Sequence, residues 1–297
     1  MDDSKSCLRG GKWQQYKQQL IRELTTKYRL KIQMTTKEIS ASMLTDEAKQ
    51  DRVKNIIVCG GDGTITEVAG KIIHSDISLG IVPFGTANAL CHVLYGLETK
   101  VSPVETACKA ILSENVQRID TAKCNDNLML LVMGIGFEQK MIESANRENK
   151  NEHGQLAYLT GFFKAVVANN QTQHLNIKLD EQPYQKLDVQ SLVIANTAPF
   201  STLLAHGGDT PEPNDGKLHI TYLEQTDSLP EKLFALSDLA ISSIGIKETA
   251  TQFKYFSGDK VTITSDSSID YVVDGENYSS QFINIEMIPS SLNVRVP

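Results

Sequence analysis

Asn55-Ile56-Ile57-Val58-Cys59-Gly60-Gly61-Asp62-Gly63-Thr64-Ile65-Thr66-Glu67 decides the fold. The aliphatic run Ile56, Ile57, Val58 predicts a strand covered on both faces. Glycines stop it at once, and Val68, Ala69, Ile72 and Ile73 resume at helical spacing. The same unit recurs directly: an aliphatic strand over 79–84, a glycine turn over 85–88 and a helix over 89–95. Strands that alternate with helices imply a parallel sheet with helices on both faces. In such a sheet both turns fall at the carboxyl edge of the strands, where ligands of this architecture bind.

Upstream, Trp13, Tyr16, Leu20 and Leu24 place one apolar face on a helix. A short strand is expected at 31–34, then a polar helix through Ala41, Leu44 and Ala48. Downstream, Ser102, Pro103 and Glu105 read as a capping box opening a helix whose inner face is Val104, Cys108, Ile111 and Leu112. After Gln117 the texture changes to β-like segments, with strands expected at 117–123, 128–133, 175–179, 189–195, 218–223, 261–264, 271–273, 283–287 and 293–296. Helices are expected at 156–167 and 228–244. The expected organisation is an α/β domain over 1–117, with a strand at 289–297 packing back on it, and a mostly antiparallel β-sandwich domain over 118–288.

The chain has 297 residues and a net charge of -7, with no basic stripe, which sets nucleic-acid binding aside. No window approaches the ~20 apolar residues of a spanning helix. The acidic, polar start Met1-Asp2-Asp3-Ser4 is no signal peptide, and five scattered cysteines without metal spacing fit a reducing compartment. The expectation is a soluble, cytoplasmic protein.

A helix start following a glycine turn offers free N–H groups and a partial positive charge, and glycines let backbone amides approach phosphate oxygens. Gly60, Gly61 and Gly63 therefore read as a phosphate cradle, and Gly85 with Thr86 as its second wall. Asp62 inside the cradle suggests help with Mg²⁺ or with positioning polar groups, or else an Asx-type turn.

The run from Gly60 to Glu67 resembles the signature of the diacylglycerol kinase catalytic-domain family, which includes sphingosine kinases and bacterial lipid kinases. Pro83-Phe84-Gly85-Thr86-Ala87-Asn88 is similar to its second motif. The blocks Met133-Gly134-Ile135-Gly136-Phe137, Gly154-Gln155-Leu156-Ala157-Tyr158-Leu159, Asn214-Asp215-Gly216-Lys217-Leu218 and Val273-Asp274-Gly275-Glu276 follow in the family's order. The resemblance implies an ATP-dependent lipid kinase that phosphorylates a hydroxyl of a diacylglycerol-like lipid at the bilayer surface, peripheral at the inner membrane face. It places Thr35, Gly60, Gly61, Asp62, Gly63, Thr64, Ile65, Thr66, Glu67, Gly85, Thr86 and Asn88 at the nucleotide. It makes Asp274 and Glu276, with Asp62, the catalytic carboxylates. It puts Mg²⁺ at Asp215, with Glu212 and the carbonyl of Lys217. Taken alone, Asp274-Gly275 and Asp215-Gly216 also read as hairpin turns.

The match has departures. The family's opening strand, ending in Asn-Pro-x-Ser-Gly, has no counterpart before Trp13, where Gly10-Gly11-Lys12 stands. An exposed sheet edge and a thinner phosphate clamp are the expected result. Ala89 and Leu90 stand where the family often has Asp-Phe, and Glu138 where Asp is usual; 205–208 matches only loosely. Two other readings stay open: a soluble-substrate kinase of the NAD-kinase type, and a catalytically impaired homologue that binds lipid or nucleotide. Sheet-edge pairing also leaves room for a homodimer.

Overall fold

The computed structural model describes residues 12–136, 172–199, 210–225 and 253–297. The expected helices at 156–167 and 228–244, with Phe162 and Phe163, lie outside them, as do the stretches 154–159 and 205–208. Two units emerge: Met1–Asp120 with Ser290–Pro297, and Thr121–Pro289.

The first unit begins with α1 (Lys12–Leu24) and α2 (Ala41–Gln50). It continues with β1 (Asn55–Gly60), α3 (Asp62–Ile72), β2 (Ser78–Pro83), α4 (Ala89–Tyr95), a 3₁₀ turn (Leu97–Lys100) and α5 (Pro103–Ser113). β1 pairs with β2 in parallel, in register from Asn55↔Ser78 to Gly60↔Pro83. On its other edge β2 pairs in parallel with Asn293 and Val294, the end of β11 (Glu276–Arg295). Every residue of β2 is buried, because both edges and both faces are occupied. In β1 only Val58 and Gly60 are buried. The end of α1 is tied to α5: Tyr28 Oη donates to the Ile111 carbonyl at 3.0 Å and Lys27 Nζ to that of Leu112 at 2.9 Å.

Two local expectations change. Residues 31–34 form no ladder. Lys31 Nζ instead donates to Glu47 (2.8 Å) and Asp51 (2.7 Å), and Gln33 Nε2 to Glu47 (3.0 Å), so the segment is strapped to α2 and has no strand beside it. Ser102 makes no side-chain cap; its backbone N–H bonds back to the Glu98 carbonyl, and Pro103 alone sets the helix start.

The second unit takes in the end of β3 (Val116–Cys124), then β4 (Asn127–Met129), β5 (Val132–Gly136), β6 (Gln173–Leu179), β7 (Gln185–Ala195), β8 (Leu218–Glu224), β9 (Phe253–Gly258), β10 (Lys260–Val273) and most of β11. Among the described residues the pairings inside it are antiparallel: β11–β10–β5–β7–β8–β9, with β6 beside both β10 and β7. Period-two alternation builds the core. Val261, Ile263, Ile269 and Tyr271 of β10 and Ile283, Ile285 and Met287 of β11 all point into one buried cluster. The strands expected at 261–264 and 271–273 are one strand, β10, with an irregularity between Thr264 and Ile269. The strand expected at 128–133 is split instead, because Leu130 and Leu131 turn their amides to a carboxylate described below. Among the described residues no helix is long and apolar enough to cross a membrane.

Candidate active site

The glycines at the end of β1 and β2 bring two turns into backbone contact. A Cβ built on Gly85 would lie 2.5 Å from the Gly61 Cα, and one on Gly61 would lie 3.0 Å from the Gly85 Cα. No side chain larger than hydrogen fits at that crossing. The Phe84 N–H donates to the Gly60 carbonyl at 2.9 Å and closes the contact. Gly61 is the N-cap of α3, in extended conformation and without a side-chain cap bond. The first amides of α3 therefore keep their donor capacity, and a Cβ on Gly63 would meet nothing within 4 Å. Gly60, Gly61, Asp62, Gly63, Thr64, Gly85, Thr86 and Thr35 all line one cavity of about 1010 Å³.

Asp62 ties the two turns together from below. Its Oδ1 accepts the Leu90 N–H at 3.4 Å, so the first residue of α3 holds the first turn of α4. Burial pushes its carboxyl above the ordinary carboxylate range, and the amides of Leu90, Ala89 and Asn88 oppose that shift. Asn88 closes the second turn in the left-handed region (φ 49°), its Nδ2 donating to the Gly85 carbonyl at 3.0 Å.

Four residues expected at the nucleotide do not line this cavity; one is Asn88, whose side chain closes the second turn. Ile65 is fully buried in the core. Thr66 and Glu67 continue α3 outside the lining. Glu67 Oε1 accepts the Ser42 N–H at 2.8 Å, and Ser40 Oγ accepts the Met43 N–H at 3.2 Å, so Glu67 helps cap α2. Nothing in the local sequence marks that role, since partner and cap lie 25 residues apart.

In the second unit, Asp274 and Gly275 form the two-residue turn between β10 and β11, with φ of 47° and 96°. Positive φ at both positions is the hairpin geometry that Asp-Gly favours. The turn also anchors a carboxylate. Asp274 Oδ2 accepts the Leu130 N–H at 2.6 Å, and Oδ1 accepts those of Leu131 and Val132 at 2.9 Å each. Three of about four acceptor positions are thus filled by amides, which fixes the group's orientation. Glu276, two residues on, is exposed.

Asp215 is also committed. Its Oδ1 accepts the Lys217 N–H at 2.9 Å, and its Oδ2 contacts His219 Nε2 at 2.7 Å and accepts the Glu212 N–H at 3.3 Å. His219 is buried, and its Nδ1 lies 2.7 Å from Tyr255 Oη. A hard cation seeks several oxygen ligands with free lone pairs. Here nitrogen donors take both oxygens and the Glu212 side chain is exposed, so Asp215, Glu212 and Lys217 do not fit a Mg²⁺ site in this arrangement. Among the described residues, no three His, Cys, Asp or Glu side chains cluster as metal ligands.

Residues 5–124 match the model of the diacylglycerol kinase catalytic domain. Those residues belong to that family. The catalytic-domain match takes in both glycine turns and Asp62. Across 94% of this chain, a protein of Synechocystis sp. of uncharacterised function is 32% identical, and the chain spans 66% of that relative's length. A Streptococcus pneumoniae protein, provisionally named a lipid kinase, is 26% identical over 88% of this chain and 85% of its own. The fold is that of a Bacillus anthracis protein provisionally named a diacylglycerol kinase. The two agree with a TM-score of 0.69 over 97% of this chain and 92% of that one, at 20% identity.

Proposed function

We propose that the protein is a kinase that transfers the γ-phosphoryl group of ATP to a hydroxyl of a diacylglycerol-like lipid. The observation that carries this reading is the backbone contact of the two glycine turns over an uncapped helix start, opening on one cavity. Amides of Gly61 to Thr64 would hold the phosphate oxygens, with Gly85 and Thr86 as the facing wall and Thr35 across the same cavity. ATP supplies the transferable phosphoryl group. The acceptor oxygen forms a bond to phosphorus as the bond to the β-phosphate oxygen breaks, and its proton goes to a carboxylate. We assign that proton to Asp274 or Glu276: the first has an orientation fixed by three amides, the second is exposed. Phosphoryl transfer depends chiefly on positioning and charge neutralisation, so the proton acceptor need not drive the reaction. The family membership of residues 5–124 and the provisional lipid-kinase name of a relative support the lipid over a soluble substrate. On this reading the protein works in the cytoplasm, peripheral to the inner membrane face, without nucleic acid.

The test is incubation with γ-labelled ATP, Mg²⁺ and mixed vesicles containing diacylglycerol. Label in the lipid fraction, lost in Asp62→Asn and in Asp274→Asn, is the expected outcome. Label transferred to NAD instead moves the assignment to a soluble-substrate kinase. A second reading, nucleotide binding without turnover, is favoured by the flank of β1 beside the cradle, which no strand among the described residues covers; saturable ATP binding with no transfer to any lipid would establish it.

A further inference from the structure

Asp215 lies in the turn that leads into β8, and His219 sits four residues on, in the strand itself. A carboxylate oxygen only accepts, so the His219 Nε2 that lies 2.7 Å from Asp215 Oδ2 carries the hydrogen. On the other side of the ring, Nδ1 reaches the Tyr255 hydroxyl of the neighbouring strand β9 at 2.7 Å. His219 is 3% exposed, so both contacts are shielded from water. One imidazole thus joins the turn, β8 and β9.

From the turn, hydrogen bonds run on to Asp274, and single peptide groups are the handles. The 211–212 peptide gives its N–H to Asp215 Oδ2 at 3.3 Å, and its carbonyl accepts the hydroxyl of fully buried Thr197 at 3.0 Å. The N–H groups of Asn196 and Thr197 donate to the Leu131 carbonyl at 2.8 and 3.3 Å, and Asn196 Nδ2 donates to that of Leu130 at 2.8 Å. The N–H ends of the same two peptides, those of Leu131 and Val132, go to Asp274 Oδ1. Peptide groups gripped at both ends polarise and hold one another, so a disturbance at the turn reaches the Asp274 carboxylate. A divalent cation would join such elements by gathering oxygens with free lone pairs. Here nitrogen donors occupy Asp215 instead, two from the backbone and one from His219.

We propose that the buried His219 imidazole takes the place of a divalent cation at Asp215. It is a positioning residue: it holds the 211–217 turn and, through Thr197 and Asn196, the orientation of Asp274. Any Mg²⁺ requirement of this protein then comes with the nucleotide. The consequence for turnover rests on the kinase reading; the metal-free hold on the turn does not.

Melting and amide exchange of the full chain without nucleotide test this. At equal ionic strength the Tm in Mg²⁺ stays within about 2 °C of that in EDTA. His219→Ala lowers Tm by about 5 °C or more and speeds exchange at 130–132 by about tenfold or more, while 78–83 is unchanged. His219→Gln restores most of both, because its amide donates to Asp215 and accepts from Tyr255. Thr197→Val keeps the shape and cuts only the bond to Pro211; it speeds exchange at 130–132 and leaves the Lys217 amide protected. Should His219→Ala fail to fold, Thr197→Val and the EDTA melt still decide. In the vesicle assay, His219→Ala lowers kcat by about tenfold with KM for ATP unchanged, and His219→Gln recovers it. A parent Tm that rises by more than about 2 °C with Mg²⁺ overturns the proposal. So does unaltered exchange at 130–132 in His219→Ala or Thr197→Val, or a glutamine variant no better than the alanine one. Melting and exchange need no turnover, so failure here and failure of the kinase reading are separable.

Discussion

β1 and β2 lie side by side, are each six residues long and are both rich in aliphatic residues, yet they live in different environments. β2 has strands on both edges and no exposed residue. Among the described residues β1 has one strand neighbour, and four of its own residues are only partly buried. Composition therefore sets the potential to be an interior strand, and the neighbours decide whether it is realised. Both strands end in glycine turns that touch, so a fully covered strand and a partly covered one together build the cradle.

The largest expected contrast is in the core. Ile81→Ala in β2 removes a fully buried side chain and should cost about 2–5 kcal/mol in urea unfolding, against less than about 1.5 kcal/mol for Ile56→Ala in β1. Equal losses would mean that the two environments do not differ energetically. Next comes the contact between the turns. Gly85→Ala forces a methyl against the Gly61 Cα and the Asn88 Oδ1, so stability should fall by about 1–3 kcal/mol and any phosphoryl transfer by on the order of 100-fold. Gly63→Ala meets nothing and lies in α3, so its stability should hold or rise by up to about 1 kcal/mol while nucleotide affinity drops. Thermal melts and nucleotide titrations of the pair separate folding from binding.

The smallest expected effect on stability is at Asp62. Its folded-state carboxyl titrates above the ordinary value of 3.8, mainly through burial. The folded protein then holds this proton to higher pH than the unfolded chain does. The residue's contribution to stability therefore falls as pH rises from 3.8 through the raised value, and the loss persists at neutral pH. Asp62→Asn removes it, so its Tm at pH 7 should equal or exceed that of the parent while turnover disappears. A variant that melts earlier would make Asp62 a structural turn residue.

Where neighbours in sequence decide the structure, the sequence was readable. The Ile56-Ile57-Val58 run, the glycines after it and the 3.6-residue spacing of Val68, Ala69 and Ile72 led to β1, the turn and α3. Readability stopped where partners are remote. Residues 31–34 carry a strand-like pattern but have no strand beside them. Glu67 looks like part of the glycine motif and serves α2. The split between β4 and β5 follows from Asp274, more than 140 residues away, which draws the amides of Leu130 to Val132 out of a ladder. Likewise Asp215 offers an acidic side chain to the eye, but buried His219 and two amides claim its oxygens. Such claims depend on tertiary context, which propensity does not carry.

The second edge of β2 is closed by Asn293 and Val294, and Arg295 reaches back to the Asn55 Oδ1 at 2.6 Å across 240 positions. During synthesis the ribosome must therefore make the whole of Thr121–Pro289 before the earlier unit can be finished. At about 5–20 residues per second that is a delay on the order of ten seconds. Throughout it, β2 as well as β1 presents a bare aliphatic edge. The nascent polypeptide should then need chaperone shelter well after its first hundred residues have emerged, and a premature stop near position 290 would leave a species prone to aggregation rather than a working fragment.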